Sequence, residues 1–318
     1  MRVGVLVQNF GGFPETGRSA RACVDLARYA EGAGYDSVWV TDHIVLPESR
    51  TTPYPHNDSG SFPYAWDQDI HEPVVLLGAL ATATERVLLG VSVLVIPYRH
   101  PLLTAKMLAT VDQLSAGRVV LGAGVGWLRE EFDALGLDPA TFADRGAVTD
   151  DYLSAMRAAL TADGAAVHHG RFIRFDAVGT YPRPAQRHSI PVWIGGKGPR
   201  ALRRTVALGD GYLAISSDPH SLAAEVAELR ALEHAAGRAE RPATIALIDG
   251  IVVTERPLAA DRHPLHGIPE QILGGLQSFA RAGLEHLVAG VRPASDGSFA
   301  GALRALDAIA PLLAELRS

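Results

Sequence analysis

One cysteine stands in 318 residues, so neither an internal disulfide nor a cysteine-rich metal site can form. Cys23 lies in a helical pattern among apolar neighbours and is expected to be a core residue. A basic surplus is missing too: 29 Lys and Arg face 35 Asp and Glu, a net charge of −6, which argues against a nucleic-acid partner. No apolar run reaches the ~20 residues that span a bilayer, which argues against a membrane protein. The opening MRVGVLVQNF lacks the charged, apolar and small-residue layout of a signal peptide. A soluble, cytoplasmic protein is expected. The twelve histidines are scattered, with no HExxH or comparable spacing, and no metal site is expected. A G-x-S-x-G elbow is absent, as are paired carboxylates at strand ends, which disfavours a serine hydrolase and a barrel glycosidase.

What is present is a long alternation of strands and helices. With 47% hydrophobic residues the chain can fill a large core. Its length suggests about two domains, although α/β barrels of this size form one. Short apolar strands are read at 3–7, 37–40, 87–96, 119–123, 191–194, 211–215, 243–253 and 286–289. Helical patterns follow them: Cys23, Leu26, Ala27 and Ala30 share one face, and Pro101 opens a helix in the first-turn position that proline tolerates. A helical region is read over 128–160. Eight such units fit an α/β fold of the (β/α)8 TIM-barrel type, a single domain over 1–318, with a doubly wound sheet as the alternative. Three segments interrupt the pattern. Residues 47–73 form a long loop favoured as a lid, 165–176 reads as a hairpin turning at Gly170, and 255–269 shows no periodicity.

Polar residues just past a barrel strand stand where active sites are built, which singles out Asp42 and His43 after Val38-Trp-Val. LGAGVGW (121–127) follows a strand, but it lacks the last glycine of a dinucleotide fingerprint, since Trp127 stands there. Gly122, Gly124 and Gly126 would instead let backbone pass close to a flat ligand. In WIGGKGPRAL (193–202), Gly195, Gly196, Lys197 and Gly198 lead into a helix opened by Pro199. Helix N–H groups beside a lysine suit a phosphate.

Taken in order, Asp42-His43, Gly-Val-Ser-Val-Leu94, Gly122 to Gly126 and Gly195 to Gly198 make the chain resemble the bacterial luciferase-like superfamily, most closely its coenzyme F420-dependent oxidoreductases. The likeness runs nearly full length and is densest from Trp39 to Arg145. It implies a barrel that holds the deazaflavin ring at its C-terminal mouth. Asp42 and His43 would meet the ring's polar edge, and a bulge with a non-prolyl cis peptide at or beside Ser92-Val93 would back it. Gly124, Val125 and Gly126 would flank the ring, and Gly195, Gly196, Lys197 and Gly198 would cradle its phosphate. His43 is then the candidate for proton transfer, oriented by Asp42. Where the sugar-phosphate dehydrogenases of this group carry an acidic residue, this chain has Trp127. That makes glucose 6-phosphate a poor substrate and points to a flat or apolar one, met by Trp127, by Trp66 beside Tyr64 on the lid, and by Asn9. The alternatives are a reduced-FMN monooxygenase and a non-catalytic cofactor-binding protein. The helices over 74–83 and 102–114 are expected to build a homodimer.

Overall fold

The computed structural model describes residues 1–317 apart from 18, 56, 58, 188 and 217. Its strands are β1 (Arg2–Leu6), β2 (Ser37–Val40), β3 (Leu88–Val95), β4 (Val119–Gly124), β5 (Ala166–His169), β6 (Arg174–Val178), β7 (Val192–Gly196), β8 (Gly211–Ala214), β9 (Thr244–Val253), β10 (His266–Gly267) and β11 (His286–Pro293). Helices α1 (Ser19–Gly32), α2 (Pro73–Ala83) and α3 (Pro101–Leu114) follow the first three strands. Then come α4 (Arg129–Ala134), α5 (Pro139–Ala143), α6 (Arg145–Thr161), α7 (Pro199–Leu208), α8 (Pro219–Ala235), α9 (Pro269–Arg281), α10 (Phe299–Ile309) and α11 (Leu312–Arg317).

Eight parallel strands close on themselves in the order β1-β2-β3-β4-β7-β8-β9-β11, with β11 returning to β1. This is the (β/α)8 barrel, one strand from each apolar run read in the sequence. Apolar residues on the outward face of each strand meet the helices in one large core, to which Cys23 belongs, fully buried. The inward face packs a second cluster around Trp39 and Trp193, whose rings stack at 5.3 Å. Gly90 makes room for it: a Cβ there would lie 2.2 Å from the Trp39 ring. Below the two indoles, Trp39 Nε1 donates to Ser37 Oγ at 2.7 Å, and Ser37 Oγ lies 2.7 Å from His286 Nε2.

The interruptions are resolved differently. The expected helix over 128–160 is three helices, because Pro139 and Gly136 (φ +68°) break the run into α4, α5 and α6. The hairpin forms as β5 and β6, latched to α6 by Asp151, whose Oδ2 accepts from the N–H groups of Phe172 and Ile173. The aperiodic 255–269 segment is held firmly: Leu265 is fully buried, and the Gln271 side chain bonds both backbone groups of Leu258. Its end, β10, extends the sheet beside β9. No helix of the described residues is long and apolar enough to cross a membrane.

Candidate active site

The expected irregularity in β3 is present. Val91 pairs with Leu121 and Leu94 with Ala123, so Ser92 and Val93 together face one residue of β4, and the Ser92–Val93 peptide is cis. The bulge brings Val93 into the barrel, against the inner cluster. Two glycines accommodate it. A Cβ on Gly124 would sit 2.3 Å from Val93 Cγ2, and one on Gly195 would sit 2.5 Å from Val93 Cγ1. The glycines at the ends of β4 and β7 thus make space for a protein side chain, and Val93 becomes the floor of the mouth. Gly126 has a different reason: its φ is +79° and a Cβ would lie 2.8 Å from Phe132. Val125, between them, is half-buried.

Asp42 and His43 diverge in role. The buried Asp42 carboxylate accepts from both Arg99 Nη atoms at 2.8 Å and from the Val95 N–H at 2.8 Å, so it ties the end of β2 to the end of β3. Burial pushes its carboxyl up, against the pull of Arg99. Arg99 also donates to Glu72, the residue that caps α2. His43 bonds elsewhere. Its Nδ1 lies 2.5 Å from Oε2 of Glu131, a fully buried residue in the first turn of α4. Glu131 Oε2 also accepts from Tyr98 Oη at 2.8 Å, and Oε1 accepts from Ile44 N at 2.6 Å and Val45 N at 3.2 Å. Burial, then the charge of Glu131, push the Tyr98 hydroxyl far up, so it remains a donor. With four donors converging on it, the carboxylate is satisfied without water. It fixes His43 with Nδ1 turned inward, leaving Nε2 without a partner among the described residues. Sequence reasoning passed over Glu131; the LREEF run after the β4 glycines was its only signal.

The loop over 47–73 brings Phe62 beside His43. Phe10 and Phe62 meet the imidazole at 5.2 and 5.3 Å, Trp127 at 6.1 Å, and Tyr54 packs on Phe62 and Trp127 at 5.1 Å. Both necks of the loop are fastened. Near its start Glu130 Oε1 accepts from Thr51 N, Thr51 Oγ1 and Thr52 N at 2.6, 2.7 and 3.0 Å. Burial raises the Glu130 carboxyl, but these bonds outweigh it and hold it at about 2. At the other neck the Asn9 amide donates to Thr41 O and His71 O, and its oxygen accepts from Thr41 N and Oγ1. All the bonding capacity of Asn9 is used and it is 1% exposed. The expected substrate contact from Asn9 is therefore replaced by a clasp. Trp66, the other substrate candidate on the loop, is half exposed, and Phe62 takes the place beside His43.

On the far side, Gly195 and Gly196 end β7, Lys197 is exposed, and Gly198 (φ +79°) caps α7 with no side-chain bond. In the first turn of α7 Pro199 has no N–H and those of Ala201 and Leu202 donate to Gly198 O, so the helix end, the Arg200 N–H and Lys197 make the electropositive rim that would fit a phosphate. Among the described residues, the buried side-chain atoms without a hydrogen bond are Arg50 Nη1, Gln68 Nε2, Ser92 Oγ, Glu130 Oε2, Asp249 Oδ2 and Arg262 Nε. Ser92 stands in the β3 bulge, Asp249 within β9, Glu130 in α4, and Arg50, Gln68 and Arg262 on the loops that follow β2 and β9; such buried groups call for a functional explanation. The orphaned Ser92 hydroxyl, the Val93 floor and the β7–α7 turn together fit a flat, polar-edged cofactor with a phosphate tail.

Comparison with known proteins gives the family and the fold. The family model for luciferase-like monooxygenases matches residues 1–310. An uncharacterised protein of Mycobacterium tuberculosis is 34% identical over 223 residues, 70% of this chain and 77% of its own length. The F420-dependent glucose-6-phosphate dehydrogenase of Nakamurella multipartita is 34% identical over 201 residues, 62% of this chain but only 53% of its own length. Among solved structures, an F420-dependent secondary alcohol dehydrogenase with an F420–acetone adduct superposes over 100% of this chain and 99% of its own, with a TM-score of 0.78 at 18% identity. A monooxygenase from Streptomyces bottropensis covers 100% of both chains, with a TM-score of 0.76 at 20% identity.

Proposed function

Because the chain belongs to the luciferase-like monooxygenase family, we propose that it is a coenzyme F420-dependent oxidoreductase acting on a small unsaturated or carbonyl substrate. The observation that carries the reading is the His43–Glu131 pair: an imidazole set at the mouth, oriented by a buried carboxylate, with its second nitrogen available. When bound, F420 supplies a carbon that gives or takes a hydride; the protein supplies position and proton. Val93 and Ser92 Oγ would hold its ring, and the 195–198 turn with Lys197 would hold its phosphate. His43 Nε2 delivers or removes the accompanying proton, and the Glu131 carboxylate keeps the imidazole in one orientation. Asp42 acts through Arg99 and Val95 to hold the β2 and β3 ends in register. The aromatic lid keeps water from the reacting atoms.

The second reading is a reduced-FMN monooxygenase, favoured by the monooxygenase of the same fold from Streptomyces bottropensis. Titrating the purified protein with F420 and with FMN, following cofactor fluorescence, decides between them. Micromolar F420 binding with weak FMN binding supports the first reading. A preference for FMN with substrate-dependent oxygen uptake supports the second. Tight cofactor binding without turnover on any enone, imine or quinone would favour the non-catalytic alternative.

The homodimer expected from the sequence belongs to this proposal: α2 and α3 leave Val75 at 73%, Leu103 at 54% and Leu114 at 53% exposure. Its check is the mass in light scattering, with Val75→Glu/Leu103→Glu expected to give a monomer.

A further inference from the structure

Arg50 is the unexplained cation of the lid. Its Nη2 donates to Tyr64 O at 3.0 Å, and its guanidinium lies 5.7 Å over the Phe62 ring. Nη1 is buried and has no acceptor, and no carboxylate among the described residues pairs with the group. The neighbouring acid Glu130 spends Oε1 on Thr51 and Thr52, and its Oε2 is unpartnered in its own right, so the two are not a pair. A guanidinium is permanently charged and its planar edge matches an anionic oxygen. A buried donor without acceptor is costly unless something in the working state takes it up. On the same loop Gln68 Nε2 is a second buried donor without an acceptor. Phe62, over which Arg50 lies, is 5.3 Å from His43 and 5.2 Å from Trp127. An acceptor held by Arg50 thus lies one ring away from the proposed acid, along a wall of aromatic faces.

Resting on the functional reading above, we infer that the substrate has a flat, apolar body and a carboxylate, and that Arg50 recognises the carboxylate while Phe62 and Trp127 take the body. Arg50 is a specificity residue; it touches no reacting atom.

The test compares 2-naphthoate with methyl 2-naphthoate, which share a flat body and differ in charge, by calorimetric titration of the purified protein. The acid is expected to bind at least tenfold more tightly than the ester. Arg50→Met should erase that difference, and Arg50→Lys should keep part of it by charge without the planar fork. F420 affinity, titrated in parallel, should stay unchanged in both variants, which also reports that they fold. Equal binding of acid and ester to the wild type, binding of neither, or an acid preference surviving in Arg50→Met would overturn the inference. Failure of F420 to bind the wild type would sink the cofactor reading alone, since the naphthoate comparison needs no cofactor.

Discussion

Glu131 Oε2 lies 2.5 Å from His43 Nδ1, across 88 residues of sequence, and both groups are buried at the barrel mouth. The pair resembles the carboxylate–imidazole unit by which many enzymes fix a histidine's tautomer and orientation. If it serves that purpose, its two members should fail in different ways.

His43→Ala should lower turnover about a hundredfold while leaving F420 affinity nearly unchanged, since it removes a proton donor and not a ring support. Glu131→Gln should cost about tenfold or more, because the imidazole loses the carboxylate that fixes its orientation. Stopped-flow reduction and cofactor titration read both. Equal loss of binding and turnover in His43→Ala would refute the proton role.

Arg99 is predicted to matter for stability more than for chemistry. Replacing it by Met strands the buried Asp42 carboxylate and frees Glu72 at the start of α2. Breaking one side of a buried ion pair costs about 3–5 kcal/mol. Urea unfolding should show a loss of that size, and Asp42→Asn in the same background should recover part of it. A loss below about 1 kcal/mol would mean that Arg99 is dispensable.

His286 makes a pH prediction. Burial lowers its imidazole to about 4 from the ordinary 6.5. Between these values the unfolded chain binds a proton that the folded one refuses, so stability falls as pH drops from about 6.5 through about 4. The total is about 3 kcal/mol. His286→Asn should flatten that part of the stability–pH curve. An unchanged slope would place the effect elsewhere.

Val93 and Gly124 form the last pair. Gly124→Ala puts a methyl 2.3 Å from Val93 Cγ2, an overpacking expected to cost about 1–3 kcal/mol. Val93→Ala should relieve it, giving a coupling energy in a double-mutant cycle. Additive losses would show that the glycine is kept for another reason.

The fold was legible because barrel strands are buried on both faces and read as apolar runs, so each of the eight could be placed. Asp42 and His43 were legible for a related reason: polar residues directly after such a run must face the mouth. What each then bonds to was not. Asp42 finds Arg99, and His43 finds a glutamate on another helix; such partners meet only when β2 and β4 sit on either side of β3. Asn9 shows the same limit from the other side. It follows a strand, as a ligand residue would, yet its hydrogen bonds are consumed at home, which no pattern in the chain reveals. Trp66 was read as the lid's substrate contact, and the path of the loop sets Phe62 beside His43 and leaves Trp66 half exposed. Gly124 was read as clearance for a ligand and Gly195 as part of a phosphate cradle, and both make clearance for Val93.

The covering loop is stitched down at Thr51–Thr52 on one side and at His71 on the other. A strap fixed at both ends cannot swing on a hinge; it can only arch in the middle. The length of the span therefore sets how large a molecule can slip beneath, while Arg50 before the first stitch and Trp127 on the barrel stay where they are. Transplanting the span alone should change the size of guest accepted and leave the choice of its charge to Arg50.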